Sequence, residues 1–458
     1  MYSISSMMSM SFFPSMIRFS IRLFGLVYVF GQRMAAVCLI ITNFAVMKRS
    51  DFEIMAPVGS RESLAAALAS GADAIYFGIE GLNMRSRSSA NFTADDMAEI
   101  AALCESKGVK TYLTVNTVIY DSDMELMKRI IDRAKEAGIS AIIASDMAAI
   151  LYARSIGQEV HISTQVNVSN TEAVRFYSQW ADVMVLAREL NLDQVAEISR
   201  AIRDENICGP AGKPVRLEMF CHGALCMAVS GKCYLSLHEL NSSANRGACN
   251  QICRRAYTVR DRETGEELEV DNKWIMSPKD LKTIHFLNKM IDAGVTVFKI
   301  EGRARGPEYV AETVGAYSEA IEAICDGTFG EEKIAAWDAR LEKIFNRGFW
   351  NGYYLGQRLG EWSEKYGSSA TRTKVYSSKA MRYFPKLGVG EFLLENGELR
   401  VGEEVVLTGP TTGALIFKVE ELRLDLKPVE SVKKGDRFSM PVPAKVRASD
   451  RLYRWEER

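Results

Sequence analysis

Cysteine residues are concentrated in one short part of this chain. Five of its nine cysteines fall between Cys221 and Cys253, and four of these follow the spacing Cys226, Cys233, Cys249 and Cys253. Thiolates gathered in this way in a reducing compartment usually bind zinc or an iron–sulfur cluster. Zinc sites usually contain two close cysteine pairs, and only the last two cysteines form such a pair here. The spacing therefore favours an iron–sulfur cluster, with zinc and free buried thiols as the alternatives.

Arginine and amide side chains recur directly after predicted strands. Arg85 and Arg87 follow the second predicted strand, Asn116 the third, Gln165 the fifth and Arg188 the sixth. Arginine binds carboxylates and phosphates through two parallel N–H groups. If the strand ends meet at one face, these side chains would suit a small dianion or an RNA backbone. The alternative for any single arginine is an ordinary solvated surface charge.

A histidine and an acid follow the last two predicted strands. His222 lies just past the seventh strand, and Glu301 and Arg303 follow the eighth, while Glu218 is expected inside the sheet. A single histidine is more often structural than catalytic, but its place at a strand end favours the two roles equally. The sequence contains no HExxH, GxSxG or Walker motif, so nothing in it indicates a common hydrolase.

These residues must be positioned by strands and helices. The sequence predicts eight strands, each from an apolar run, and amphipathic helices that alternate with them. The predicted strands are Glu53–Ala56, Ala74–Phe77, Lys110–Val115, Ala141–Ser145, Glu159–Ser163, Asp182–Leu186, Val215–Phe220 and Thr296–Ile300. Repeated β–α–β units over about 250 residues predict an α/β fold with a TIM-like (β/α)8 barrel. An open doubly wound sheet is the alternative, although no GxGxxG motif follows the first strand.

The cysteines fall in a segment that is too long for a plain connection. Residues 221–273 separate the seventh and eighth predicted strands, within a predicted barrel that spans residues 47–306. Loops that follow barrel strands open on the C-terminal face, where active sites form. We therefore expect the cysteines to lie beside the arginine and amide side chains at the mouth of the barrel.

Three further segments are predicted outside the barrel. Residues 307–372 have the pattern of a helical segment with an aromatic junction, and residues 373–458 that of a small β-barrel with a hairpin at Asn396. Residues 1–46 contain no acidic residue, and we interpret them as lying upstream of a true start at Met47. A signal peptide or an export anchor is the alternative. Without this leader, no stable membrane association is expected.

Composition limits the classes of function. The chain of 458 residues is 47% hydrophobic and 25% charged, which is typical of globular proteins. Its net charge of -1 gives no overall basic field, so contact with RNA would need a local patch. An odd number of unevenly placed cysteines does not resemble a secreted disulfide framework. We therefore expect a cytoplasmic protein.

Several long motifs resemble those of one known family, the collagenase-like peptidases of family U32. They are EIMAPVGS, GADAIYFG, NMRSRSSANFT, EMFCHGALCMAVSGKCYLS, NRGACNQICRRAY and KIEGRARGPEYV, in this order. The resemblance implies a 4Fe–4S cluster on the four spaced cysteines, with Cys221 outside the ligand set. It also implies catalytic roles for His222, Glu301 and Arg303. Members of this family include hydroxylation factors for tRNA wobble uridine, for a ribosomal RNA cytidine and for the ubiquinone ring.

The length and the single C-terminal β-module are most similar to the tRNA branch of the family. That branch implies formation of 5-hydroxyuridine at the wobble position, contact with the anticodon region of tRNA, and prephenate, a small dicarboxylate, as the source of oxygen. A peptidase would need a nucleophile and a base such as Cys221 and His222, but neighbouring residues of a strand point to opposite faces. The resemblance is also compatible with a hydroxylase of ribosomal RNA or ubiquinone. The cysteines alone are also compatible with a zinc-stabilised RNA-binding scaffold.

Overall fold

Eight parallel strands close into a barrel, because each is a continuous apolar segment that helices cover from outside. The computed structural model describes residues 47–79, 81–86, 92–260, 262–265, 267–268 and 276–458. The barrel strands are β1 (Glu53–Pro57), β2 (Ala74–Phe77), β3 (Lys110–Val115), β4 (Ala141–Ala144), β5 (Glu159–Ile162), β6 (Val183–Val185), β7 (Arg216–Ala224) and β8 (Val295–Ile300). Each strand pairs in parallel with the next, and β8 pairs with both β7 and β1. The predicted barrel is confirmed.

Most of the α-helices cover the outside of the barrel, whereas the short helix Leu235–Leu240 belongs to the connection between β7 and β8. The described α-helices are α1 (Arg61–Ala69), α2 (Asp96–Glu105), α3 (Met124–Glu136), α4 (Met147–Ser155), α5 (Thr171–Tyr177), α6 (Leu192–Asp204), α7 (Leu235–Leu240), α8 (Leu287–Asp292), α9 (Pro307–Cys325) and α10 (Glu331–Lys343). Side-chain oxygens of Ser60, Asp146, Asn170 and Asn191 cap the starts of α1, α4, α5 and α6. Helix α9 packs against α1 and β1. The first helix of the segment predicted as a junction therefore completes the barrel.

The predicted strand boundaries differ from the structure by one residue at most, except at the end of β7. The prediction ends this strand at Phe220, and the strand continues to Ala224. A short strand, Asp280–Lys282, pairs antiparallel with the end of β7 and parallel with Phe349–Trp350. This added pairing lengthens β7 and places His222 within the strand instead of after it.

The long connection between β7 and β8 has little regular structure before Asp280. In this part the described residues form α7 and two short 3-10 turns, Ala244–Arg246 and Ile252–Arg254. Two short strands, Val259–Arg260 and Glu267–Leu268, then pair with each other. We call the part of this connection that carries the four spaced cysteines, residues 225–256, the cysteine segment.

The C-terminal part of the chain is an antiparallel sheet domain. Its strands are β9 (Arg372–Phe384), β10 (Val389–Leu394), β11 (Glu398–Arg400), β12 (Glu404–Gly409), β13 (Gly413–Lys418), β14 (Leu422–Leu424), β15 (Lys427–Val429), β16 (Ser431–Lys433), β17 (Arg437–Pro441) and β18 (Arg451–Glu457). Eight of them form one sheet in the order β13–β12–β18–β9–β10–β17–β14–β15 around a separate apolar core. Among the described pairings, its edge strands β13 and β15 do not pair with each other. The hairpin predicted at Asn396 does not form, because β10 and β11 pair with other strands.

The sheet domain packs directly on the barrel. Strand β13 lies against α1 and α9, and residues 50–458 form one compact unit. Lys374 donates to Glu308 at the start of α9 across 2.7 Å. Gly413 comes so close to α1 that a Cβ atom there would lie 2.7 Å from the backbone nitrogen of Ala66. The two cores are therefore held together by close backbone packing as well as by charge.

The predicted leader, residues 1–46, lies outside the described residues. Within the described part of the chain, none of the helices has the combination of length and apolar character that a bilayer crossing requires.

Candidate active site at the barrel mouth

A cavity of about 370 Å³ opens at the mouth of the barrel. It is bordered by the carboxyl ends of several strands and by the cysteine segment. Ten of the residues predicted from the sequence line it: Arg85, Asn116, Gln165, Arg188, Cys226, Cys233, Cys249, Cys253, Glu301 and Arg303. Their functional roles stay predictions, but the expectation that they lie together agrees with the structure. Arg87 lies outside the described residues.

The four spaced cysteines share one side of this cavity. Cys226 is exposed, and Cys233, Cys249 and Cys253 are half-buried. Burial raises the pKa of Cys253, and the charges of the other three thiols raise it further, against an opposing effect of Arg254. Among the described residues, no group of three or more His, Cys, Asp or Glu side chains is arranged to hold a single metal ion. The four side chains are soft sulfur donors, and four such donors are what iron–sulfur clusters use.

Two glycines allow the cysteine segment to lie against the barrel loops. Gly231 has a φ of +72°, and a Cβ atom there would lie 2.8 Å from the Cβ atom of Gln165. Gly247 has a φ of +85°, and a Cβ atom there would collide with the carbonyl oxygen of Asn83 and the hydroxyl of Ser86. Positive φ and close approach both favour glycine. These contacts fix the cysteines relative to the loops after β2 and β5.

Glu301 is the centre of a charged group at the end of β8. Its carboxylate accepts a hydrogen bond from Arg85 at 2.8 Å and one from the hydroxyl of Tyr76 at 3.3 Å. Burial alone would raise the pKa of Glu301, but Arg85, Arg188 and Arg303 outweigh it and lower the pKa to about 2. Glu301 is therefore ionised at neutral pH and is placed to orient Arg85.

Two arginines of the cavity keep unused hydrogen-bonding capacity. Arg303 donates to Asn83 and to Thr114 at 3.1 and 2.9 Å, and its buried Nε atom has no partner among the described residues. Arg188 lies 3.8 Å from the ring centre of Phe220, donates to a backbone carbonyl, and likewise has a buried Nε without a described partner. Buried donors in proteins are nearly always satisfied. Both arginines are therefore available to an anionic ligand in the cavity.

Lys299, which lines the cavity, belongs to a buried ion pair. Lys299, on β8, donates to Glu218, on β7, across 2.7 Å, and both side chains are almost fully buried. The ammonium group also lies 4.7 Å from the ring centre of Tyr76. The expectation that Glu218 points into the barrel agrees with this placement. Its second carboxylate oxygen has no partner among the described residues.

Two amide side chains, Asn116 and Gln165, also line the cavity. Asn116 contacts the hydroxyl of Ser163 at 3.3 Å and the side-chain oxygen of Gln165 at 3.4 Å, and Ser163 also donates to that oxygen. The backbone nitrogen of Met84 donates to Asn116 at 3.2 Å. These contacts fix the amides that follow β3 and β5.

Sequence reasoning missed several basic residues of the cavity. Arg254, Arg305, Arg347 and Lys299 also line it. Lys299 and Arg305 belong to the same motif as Arg303, and Arg254 directly follows a predicted ligand, so three of these four could have been found from the quoted motifs. Arg347 comes from the aromatic junction, and only the fold reveals that the junction reaches the cavity.

His222 does not line the cavity. It is 1% exposed, and its ring packs against those of Tyr309 and Tyr317, with ring centres 5.9 and 5.6 Å away. Burial, with the positive charges of Lys282 and Arg305, lowers the pKa of His222 to about 3. A neutral, enclosed imidazole fits the structural role of a histidine, and its placement gives no support to a catalytic one.

Cys221 likewise does not line the cavity. Its Sγ atom is fully buried and lies 3.5 Å from the carbonyl oxygen of Lys299. Burial raises the pKa of Cys221 well above its ordinary value, so the thiol stays protonated. The structure thus separates Cys221 from the four spaced cysteines, and it offers no reactive pair of Cys221 with His222.

Comparison with known proteins gives the family. The model of Peptidase family U32 matches residues 59–364. A protein named collagenase from Porphyromonas gingivalis is 66% identical over 412 residues, which cover 90% of this chain and 100% of that one. The tRNA hydroxylation protein P1 of Bacillus subtilis is 33% identical over 81% of this chain and 86% of its own. A 23S rRNA 5-hydroxycytidine synthase of Escherichia coli is 34% identical over 68% of this chain and 46% of its own. The chain belongs to Peptidase family U32.

Proposed function

We propose that this protein is an iron–sulfur-dependent hydroxylation factor that forms 5-hydroxyuridine at the wobble position of tRNA. One observation carries the proposal: four thiols border a cavity whose remaining charged lining is almost entirely basic. In the described lining, six arginines and one lysine accompany a single acid, Glu301. This arrangement suits a redox group beside an anionic small molecule. The relatives named for tRNA and rRNA hydroxylation support an RNA base as the target.

Cys226, Cys233, Cys249 and Cys253 would hold a 4Fe–4S cluster. When bound, the cluster would supply electron transfer at the cavity. Arg254 holds the cysteine segment in place, because it donates to the carbonyl oxygens of Leu225, at 2.5 Å, and Pro278, at 2.6 Å. The supporting observation is the donor set itself, which contains sulfur ligands only.

The oxygen donor would be a small dicarboxylate such as prephenate. Arg188 and Arg303 each keep a buried Nε–H for a carboxylate, and a guanidinium group can bind a carboxylate through two hydrogen bonds. Arg85, held by Glu301, adds positive charge to the same space. The amides that follow β3 and β5 can hydrogen-bond the uncharged oxygens of such a ligand. In this proposal the protein binds and orients the donor beside the cluster.

The target base must leave its stack to reach this cavity, as for other enzymes that act on a base. The wobble base lies in the single-stranded anticodon loop, where the cost of unstacking is low. An anticodon loop is therefore a more accessible substrate than a paired region. Cytidine of ribosomal RNA is the second candidate base, which the relative from Escherichia coli favours.

A peptidase function is favoured by the names of relatives, among them two proteins named collagenase that are 66% and 61% identical. A cysteine peptidase needs a thiolate beside a base. Cys221 and His222 are both buried outside the cavity lining, and the structure provides no second pair of this kind among the described residues. Hydrolysis of gelatin by anaerobically purified protein, abolished in a Cys221→Ala variant, would establish the peptidase and overturn the hydroxylation proposal.

Anaerobic purification with measurement of iron, sulfide and zinc tests the cofactor. We expect four irons and four sulfides per chain, and loss of most of the iron in a Cys249→Ser variant. One zinc per chain without iron or sulfide would instead indicate the RNA-binding scaffold.

Nucleoside analysis tests the reaction. We expect 5-hydroxyuridine and its derivatives to disappear from the tRNA of a strain that lacks this protein and any parallel route, and to return with the intact gene. Unchanged tRNA with loss of 5-hydroxycytidine from ribosomal RNA would move the substrate to the second candidate.

A further inference from the structure

The sheet domain carries a group of basic side chains that face one another without acidic partners. Lys379 on β9 and Arg451 on β18 are register partners on neighbouring strands, and both are exposed. Like charges directly opposite each other destabilise a sheet. Such a pair lowers stability unless an anion comes between the two charges.

Two further cations come from the turn that precedes β18. Its backbone is tied to the residue after Lys379, because the nitrogen of Ser449 donates to the carbonyl oxygen of Ala380, and the nitrogen of Ala380 donates to that of Asp450. Arg447 and Lys445 lie in this turn and are exposed. We call Lys379, Lys445, Arg447 and Arg451 the basic patch.

No acid neutralises the basic patch within the described part of the chain, where none of its four side chains forms an ion pair. Asp450 is the nearest acid along the chain, and it is buried and accepts from the hydroxyl of Thr412 and the backbone nitrogen of Arg447. The side chain of Arg447 donates only to Thr412, at 3.2 Å. By contrast, the basic residues Arg372, Arg400 and Arg423 of the same domain each pair with a glutamate.

We propose that the basic patch binds the phosphate backbone of the substrate RNA, at a place separate from the cavity. The inference rests on the proposed function for the identity of the RNA. Unpaired cations on two neighbouring strands and on the adjoining turn, two of which face each other, form a local positive area that is complementary to a phosphate backbone. The cavity holds one base, and the basic patch would hold the backbone of the same molecule.

The test compares two double variants that lose the same charge. Lys379→Gln with Arg451→Gln removes the facing pair, and Lys427→Gln with Lys434→Gln removes two exposed lysines elsewhere on the domain. The probe is bulk tRNA from a strain lacking this protein, and the measurement is its Kd at several NaCl concentrations. We expect the first variant to bind about tenfold more weakly at 0.1 M salt. For this variant, the slope of the logarithm of the binding constant against the logarithm of the salt concentration should be smaller in magnitude by about 1 to 2. The control should keep wild-type binding.

The stability of the variants separates binding from folding. Since the facing charges repel, the first double variant should melt at the same temperature as the wild type or higher. Wild-type affinity in the first variant, or equal losses in both, would overturn the inference. Binding of polyglutamate but not of tRNA to the basic patch would also overturn the inference, because it would indicate an acidic polypeptide as the partner.

Hydroxylation is measured on the same proteins, so the two proposals can fail separately. If the wild type hydroxylates tRNA and the first variant does so with an unchanged KM for tRNA, only the proposal for the basic patch is wrong. If the wild type binds tRNA through the basic patch without hydroxylating it, only the proposed reaction is wrong.

Discussion

At the scale of single residues, Arg188 is the side chain that most directly tests the anion site. Its Nε atom is buried without a described partner, and its guanidinium carbon lies over the ring of Phe220, 3.8 Å from the ring centre. The stacking fixes the orientation of the guanidinium group, so its hydrogen bonds to a carboxylate cost little conformational entropy. The residue therefore combines a fixed position with an unsatisfied donor.

We expect Arg188→Gln to raise the KM for the dicarboxylate about tenfold or more, because a hydrogen bond to a charged group contributes about 1.5–3 kcal/mol. The cluster should be retained, since Arg188 is not a predicted ligand. The measurement is hydroxylation at varied donor concentration, together with iron content. The control is Arg200→Gln, on the exposed surface of α6, which should leave KM unchanged. An unaltered KM in Arg188→Gln would remove this residue from the site.

We expect the titration of His222 to affect stability and not chemistry. Its pKa is about 3 in the fold against 6.5 for an ordinary histidine. Between these values the unfolded chain binds a proton that the folded protein does not, so stability falls as the pH falls. Burial is the main cause, and the rings of Tyr309 and Tyr317 enclose the imidazole, with Lys282 and Arg305 as its charged neighbours.

We expect His222→Gln to lose less stability than the wild type on acidification. Between pH 7 and pH 5 the free energy of unfolding should fall by about 2 kcal/mol more in the wild type than in the variant, since one pKa unit corresponds to 1.36 kcal/mol. Urea unfolding at the two pH values provides the measurement. Per folded molecule, the variant should keep hydroxylation with an unshifted pH profile. If the variant instead lost or shifted one limb of the pH dependence of the hydroxylation rate, this would indicate that His222 takes part in proton transfer.

At the scale of elements, the cysteine segment is positioned by contact and not by regular structure. Gly247 lies against the loop after β2, where a side chain would meet a backbone carbonyl. Backbone cannot move as a flexible side chain can, so even one methyl group must displace the segment. The spacing of the cysteines is visible in the sequence, whereas this requirement is visible only in the fold.

We expect Gly247→Ala to lower the iron content of the purified protein by half or more, because the displaced segment changes the separation of Cys249 from the other ligands. Gly212→Ala is the matched control. Gly212 also has a positive φ, of +70°, but a Cβ atom there would meet nothing within 4 Å. The control therefore carries the backbone strain alone and should keep its iron. Equal iron contents in the two variants would contradict the role of this contact.

The barrel strands were predictable because their pattern is local. A continuous apolar run with a glycine-stopped helix after it predicts a buried parallel strand, and β2 and β3 begin and end where expected. The end of β7 was not predictable, since its last residues pair with Asp280–Lys282, far along the chain. The burial of His222 follows from that pairing. Arg347 was missed for the same reason, because a contact between distant segments leaves no periodicity in the sequence.

At the scale of the whole molecule, charge is segregated in a chain whose net charge is only -1. The described lining of the cavity is strongly basic, and the basic patch adds a second positive area on the sheet domain. Net charge alone would therefore argue against RNA as a partner. What an RNA meets is the local field, which decays within about 8–10 Å at physiological salt. Two local fields on one compact unit can therefore contact one RNA at two points.

Holding those two areas at a fixed distance requires that the sheet domain does not move on the barrel. Gly413 lies so close to α1 that a Cβ atom there would be 2.7 Å from the backbone nitrogen of Ala66. We expect Gly413→Ala to lower stability by about 1–3 kcal/mol more than Gly435→Ala does, because overpacking adds to the strain of a positive φ. Gly435 has a φ of +98° and open space around its Cα atom. Thermal melting gives the stability, and limited proteolysis should show faster cleavage between the domains, near residue 370, only in the Gly413 variant. Equal melting temperatures and cleavage rates in both variants would show that the two domains are not fixed by this contact.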